Sequence, residues 1–216
     1  MQCSVITEGL PAIREAAQFY IINTQSRRMG VDLTRRLLIE HDEIKDLTDV
    51  PDWELKAVQI AIRLNRKLKD NPWYGRIREP EAERNSQHIA TEKSFVPSLR
   101  WLLTAPQAKH RSASALAKFL AGFWQGIYTS VPEPFKQPRS YLIQKTPGYM
   151  AFHRLAPIVY RKFPRGSAAT YAKLFRHLTA SRFGARFWER KNRRVQRTQQ
   201  PGPFLLGRDR RPTGQG

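Results

Sequence analysis

The chain has 216 residues, the size of one ordinary domain or of a domain with a tail. Apolar residues make up 40% of it and aromatics 11%, enough to bury a core, so wholesale disorder is excluded. Lys and Arg number 38 against 18 Asp and Glu, a formal net charge of +20, and every apolar run stops far short of the roughly 18 residues of a membrane span.

In chain order the pattern predicts mostly helices with a small β element. Residues 11–23 place Ile13, Ala16, Ala17, Tyr20 and Ile21 at helical spacing behind Pro11, and 32–44 open on Asp32 as an N-cap. The clearest helix covers 52–70, where Trp53, Ala57, Ile60, Ala61, Leu64 and Leu68 form one stripe before Asn71-Pro72 ends it. Residues 73–93 read as extended, with Ile77 and Ile89 on either side of a polar turn, the pattern of a short hairpin. Helices follow over about 94–103 and over 112–128, the second with Gly122 and Gly126 on a flank where a neighbouring backbone can approach closely. The Pro-rich stretch 131–138 reads as a loop and Tyr141–Gln144 as a short strand. Three more helices are predicted over 147–160, 167–180 and 183–195. From Gln196 onward there is little to bury, and 196–216 read as a disordered basic tail.

The charge is unevenly placed. Residues 1–110 hold 17 basic and 15 acidic residues, and 111–216 hold 21 basic and only 3 acidic, namely Glu133, Glu189 and Asp209. A half-chain this basic binds polyanions, nucleic acid first and an anionic membrane surface second, or else carries a solvated charged face. Arg182, Arg186, Arg190, Lys191, Arg193, Arg194 and Arg197 form the densest strip, with Glu189 alone opposing them, and are candidate nucleic-acid contacts. Trp188 within that strip can stack on an unpaired base, though packing against the preceding helix is the commoner use of such a residue.

Signals for catalysis are sparse. The five histidines, at 41, 88, 110, 153 and 177, include no pair four apart on one helix face. Neither a nucleophile elbow nor a phosphate-binding glycine loop occurs, so no catalytic residue, metal site or cofactor is assigned. The lone Cys3 excludes an internal disulfide, and with no signal sequence in view the expected setting is cytoplasmic, without membrane attachment. Asn23, Gln25, Arg27 and Arg28 close the 11–23 helix with amide and guanidinium groups suited to a nucleotide or phosphate. The same residues also suit an ordinary helix C-terminus, where Asn ends helices and cations meet the negative dipole end.

Several short motifs, taken in order, carry a resemblance. Ile22-Asn23-Thr24-Gln25, then Asp32-Leu33 and Arg36-Leu37-Leu38, Asn71-Pro72-Trp73-Tyr74-Gly75-Arg76-Ile77, Ser94-Phe95-Val96 with Ser98-Leu99, and Lys145-Thr146-Pro147-Gly148-Tyr149 together resemble the second half of DGQHR-domain proteins. That family includes the DndB-type regulators of DNA phosphorothioation systems, and its other half is akin to the ParB/sulfiredoxin-like fold. The Asn23-x-Gln25 pair is also similar to the Glu-Asn-x-Gln-Arg box of ParB proteins, with Ile22 in place of Glu and Ser26 in place of Arg. The Asp-Gly-Gln-His-Arg motif itself does not occur in the chain.

The resemblance implies that 1–180 are the C-terminal, helical portion of such a domain, in truncated form, followed by a basic terminal helix over 181–195 and the tail. The function it implies is DNA-associated and regulatory, in a DNA-modification or defence system, with DNA and other proteins of that system as partners. Self-association through apolar surface that lost its cover is a further expectation. The rival readings are a fragment of a ParB-like nuclease or nucleotide hydrolase, and a helical module for binding protein.

Overall fold

A computed structural model describes residues 39, 50–80, 82–180, 188 and 189, with side chains in the last helix described as far as 176. The described residues are mainly helical with a small β element, as the sequence predicts. The predicted helices over 11–23 and 32–44 lie outside them, apart from Ile39, which is helical and rests against the core.

Helix α1 spans Asp52–Ile62 and buries Leu55, Ala57, Val58, Ile60 and Ala61, much of the stripe read from its spacing. It does not run on to residue 70. Residues Arg63–Lys67 widen into a π-helical turn, closed by Leu68 N–H donating to Arg63 O at 2.9 Å. Two strands of two residues follow, β1 (Ile77–Arg78) and β2 (Ala90–Thr91), and here the predicted hairpin is corrected. They pair in parallel, Ile77 opposite Ala90 and Arg78 opposite Thr91. The connection over residues 79–89 is long enough to bring β2 back beside β1 in the same direction, and a side chain holds the other edge of β1. Asn65 Nδ2 donates to Ile77 O at 2.9 Å and Asn65 Oδ1 accepts from Ile77 N–H at 3.0 Å, occupying β1 as a neighbouring strand would. The tight turn sits at Asn85–His88, immediately before β2, where Asn85 Oδ1 accepts from the N–H groups of Gln87 and His88.

The predicted 94–103 helix is two helices. Helix α2 (Glu92–Ser98) starts earlier because Thr91 Oγ1 caps it, accepting from Ser94 N–H at 3.3 Å. Pro97 inside α2 lacks an N–H, and Leu99 tightens to a bond with Val96 O before α3 (Arg100–Leu103) begins. Helix α4 (Ala113–Ser130), capped by Ser112, is the longest and buries Leu116, Phe119, Leu120, Phe123, Trp124 and Ile127. A one-turn helix α5 (Glu133–Lys136) stands inside the stretch read as a loop, with Pro132 and Pro134 pre-set for its first turn. The predicted strand at Tyr141–Gln144 reduces to one antiparallel bridge, Tyr141 with Glu189, and a bond from Leu142 N–H to Trp188 O at 2.7 Å. Helices α6 (Thr146–Lys162) and α7 (Ala168–Ala180) agree with their sequence readings within two residues.

Helices α4 and α7 form the most extensive helix pair. Gly126 is where they touch: a Cβ there would stand 2.4 Å from Tyr171 Cβ and 2.9 Å from Ala172 N, so only hydrogen fits. The core is unusually aromatic. Trp73, Phe95, Trp124 and Tyr149 surround one another with ring centroids 4.9–5.8 Å apart around Trp73, mostly edge to face, the arrangement that ring quadrupoles favour.

Candidate nucleic-acid interface

The most organised surface feature grows out of the end of α1. After the π turn, Asn71 stops the helix by donating Nδ2–H to Leu64 O at 2.9 Å and to Leu68 O, while its Oδ1 accepts from Trp73 N–H at 2.8 Å. This fastening drives Trp73 completely into the aromatic core and turns its neighbour Tyr74 outward, 40% exposed. Gly75 then adopts φ +66°, which favours glycine, and donates its N–H to Asn65 O at 2.9 Å. The Arg66–Glu79 ion pair, with Glu79 nearly buried, pins the far end of the turn.

Arg76 leaves this turn toward the opposite wall. Its Nη1 donates to Phe135 O at 3.3 Å and to Gln144 Oε1 at 3.4 Å, and buried Gln144 is itself fixed by donating to Pro72 O at 3.0 Å. Both acceptors are neutral oxygens, and Arg76 has further donors beyond the one that serves them. Two clefts share Tyr74, Arg76 and Lys136 as a common rim. The larger, about 410 Å³, reaches Lys69, Gln125 and Tyr128 and has Asp70 at its edge. The smaller, about 360 Å³, runs past Ser86 and Gln87 to Pro138. Tyr128 stands edge-on to Phe135, ring centroids 5.4 Å apart, which holds that wall in place.

Neither predicted site can be set against this geometry. Asn23, Gln25, Arg27 and Arg28 lie outside the described residues, as do Arg182, Arg186, Arg190, Lys191, Arg193, Arg194 and Arg197. Their two described neighbours correct the helix predicted over 183–195 at that point: Glu189 bridges Tyr141 in antiparallel fashion, and an α-helical residue cannot do so. Trp188 packs on Phe152 of α6, centroids 5.3 Å apart, a packing role as expected but against α6 and not the helix that precedes it.

The described part of the basic half carries its charge outward. Between Arg111 and Arg176 there are eleven Lys and Arg residues, all but Lys145 exposed, with Glu133 as the single carboxylate. Tyr74, Arg76 and Lys136 escaped the sequence reading as site residues. The available signal was the alternation Trp73-Tyr74-Gly75-Arg76-Ile77, which puts the apolar residues on one side and the ring and guanidinium on the other.

One polar cluster invites a catalytic reading and does not support it. Ser98 Oγ lies 2.7 Å from His153 Nδ1, and Trp124 Nε1 donates to His153 Nε2 at 3.1 Å. The indole N–H obliges Nε2 to accept, so Nδ1 carries the proton and donates to Ser98, whose hydroxyl donates onward to Phe95 O at 2.5 Å. Every donor therefore has an acceptor. Burial pushes the His153 imidazole down to about 3, so it is neutral, and with Ser98 and His153 both sealed from solvent the pair meets no substrate. Among the described residues, no group of three His, Cys, Asp or Glu side chains is arranged to hold a metal ion, and no helix is long and apolar enough to cross a membrane. No protein-family model matches the chain, and neither a curated protein nor a solved structure matches it.

Proposed function

We propose that the protein is a DNA-associated regulator, working in a DNA-modification or defence system and holding the phosphate backbone mainly through its basic second half. The observation that carries this reading is the outward-facing charge between Arg111 and Arg176, ten exposed cations against one carboxylate. A folded surface of this kind lowers its own electrostatic self-repulsion by taking on a polyanion, and each phosphate it neutralises releases condensed counterions. The resemblance to DGQHR-domain proteins supports a regulatory role in such a system, in the cytoplasm. Arginines and lysines on phosphates read no bases, so the binding is largely independent of sequence.

The test is a titration of the whole chain with a labelled duplex at several salt concentrations. Contact with about four to six phosphates gives a log–log slope of roughly −4 to −5. Two unrelated duplex sequences should bind with similar affinity. An affinity indifferent to salt, or no binding at low salt, overturns the proposal.

A further inference from the structure

We propose that the double cleft around Tyr74, Arg76 and Lys136 is a binding site for single-stranded nucleic acid, taking successive nucleotides with a base against the Tyr74 ring and phosphates on Arg76 and Lys136. The inference rests on the nucleic-acid reading above and adds to it a strand preference and a location outside the basic strip.

Four observations converge on this ligand. The cations at the shared rim, Arg76 and Lys136, lie between two compartments of about 410 and 360 Å³, each the size of a small-ligand site. A phosphate held at the rim thus has room for a nucleoside on either side. Tyr74 presents an aromatic ring at 40% exposure from a turn anchored by Asn71, Trp73 and Gly75, so little ordering is left to complete on binding. Gln125 in one compartment and Gln87 in the other offer amide groups that can both donate and accept, which suits base edges. Arg76 is aimed by two neutral oxygens, so its charge is not already spent on a carboxylate.

The combination discriminates among anions. An acidic peptide would use Arg76 and Lys136 and leave Tyr74 idle. In a duplex the base faces are stacked inside and cannot reach the ring, whereas a single strand offers an unpaired face for every base.

The experiment compares a 12-nucleotide oligothymidylate, a duplex and thymidine monophosphate on the whole chain, for the wild type and for Tyr74→Ala, Tyr74→Phe and Lys136→Ala. Tyr74→Ala should weaken the single strand about ten-fold and leave duplex affinity unchanged, while Tyr74→Phe keeps the wild-type value. Lys136→Ala should reduce the single-strand salt slope by about 0.7. The exposed position of Tyr74 leaves the melt intact, which a thermal scan of each variant checks. Unchanged single-strand affinity in Tyr74→Ala, with duplex binding retained, overturns this site and leaves the general DNA reading standing. Failure of the wild type to bind either polymer overturns both. Monophosphate binding as tight as that of the oligonucleotide overturns the strand as the ligand.

Discussion

Two tryptophans of the core look alike by burial and differ in one hydrogen bond. Trp73 and Trp124 are both completely buried, but only Trp124 has an acceptor for its indole N–H, at His153; Trp73 Nε1 has none among the described residues. Replacing either with Phe removes similar volume, so the hydrogen bond separates the two. Trp124→Phe should cost about 1–2 kcal/mol more than Trp73→Phe in urea unfolding, because it also strands His153 Nε2 without a donor. Equal costs would show that the Trp–His bond contributes nothing net. His153 also imposes a pH dependence. Its folded value near 3 lies below the ordinary 6.5, so the unfolded chain binds the proton more readily. The stabilisation is complete above about pH 6.5 and is lost as pH falls toward 3, approaching a slope of about 1.4 kcal/mol per unit. Between pH 6.5 and 5 the wild type should lose about 2 kcal/mol more than His153→Gln, even though the variant starts less stable. Parallel stability curves would mean that His153 takes up its proton as readily in the folded protein as in the unfolded chain. This cluster was not legible in the sequence, because Ser98, Trp124 and His153 are joined only by the packing of α2, α4 and α6.

At the scale of elements, amphipathic spacing carried α1, α4, α6 and α7, and the small residues flanking α4 correctly marked a close helix approach. What it missed were features decided by single side chains. Asn65 sets how β1 is edged and Pro97 splits a helix in two, whereas Asn71, read from the sequence as the helix end, fastens that end by donating to Leu64 O and Leu68 O. Periodicity has no access to such interactions, and the cleft assembled from residues 69–76, 125–128 and 136 depends on them. The glycine flank yields a paired prediction. Gly122→Ala and Gly126→Ala both gain about 1 kcal/mol of helix propensity. At Gly122 the nearest atom to the new methyl is a Tyr171 ring carbon at 3.3 Å, so the ring need yield by only a few tenths of an ångström. At Gly126 the obstacle includes backbone of α7, and the two helices must move apart. Gly126→Ala should therefore be destabilised by about 1–3 kcal/mol net, while Gly122→Ala stays within about 0.5 kcal/mol of wild type. If both variants melted like the wild type, α4 and α7 would not pack as closely as described. Tyr171 anchors the same junction by donating its hydroxyl to Phe163 O at 2.7 Å, and burial pushes its phenol up to about 12, so the junction is insensitive to mild alkali.

For the whole molecule, the division of labour between a nearly balanced first half and a basic second half is a statement about salt. Truncating the chain before residue 182 would be an unsound test, since Trp188 packs on Phe152 and its carbonyl accepts from Leu142 N–H. Charge can be removed without that damage. Arg190, Lys191, Arg193, Arg194 and Arg197 changed together to Gln should flatten the duplex salt slope by about 1–2 units, roughly 0.9 for each phosphate no longer neutralised. Lys118, Arg165 and Lys173 are exposed, and changing these three to Ala should flatten it by about 1–3. The control takes three exposed cations of the first half, Lys67, Arg84 and Lys93, and should alter the slope by less than about 1. The Lys118/Arg165/Lys173 set and the control remove exposed charge only, so their melts should agree with the wild type to about 0.5 kcal/mol per site. A control that flattened the slope as much as the second-half sets would mean that net charge alone attracts the DNA and that no face of the molecule is its binding surface. Slopes unchanged by either second-half set would leave those cations as a solvated surface and move the phosphate-binding role to residues outside them.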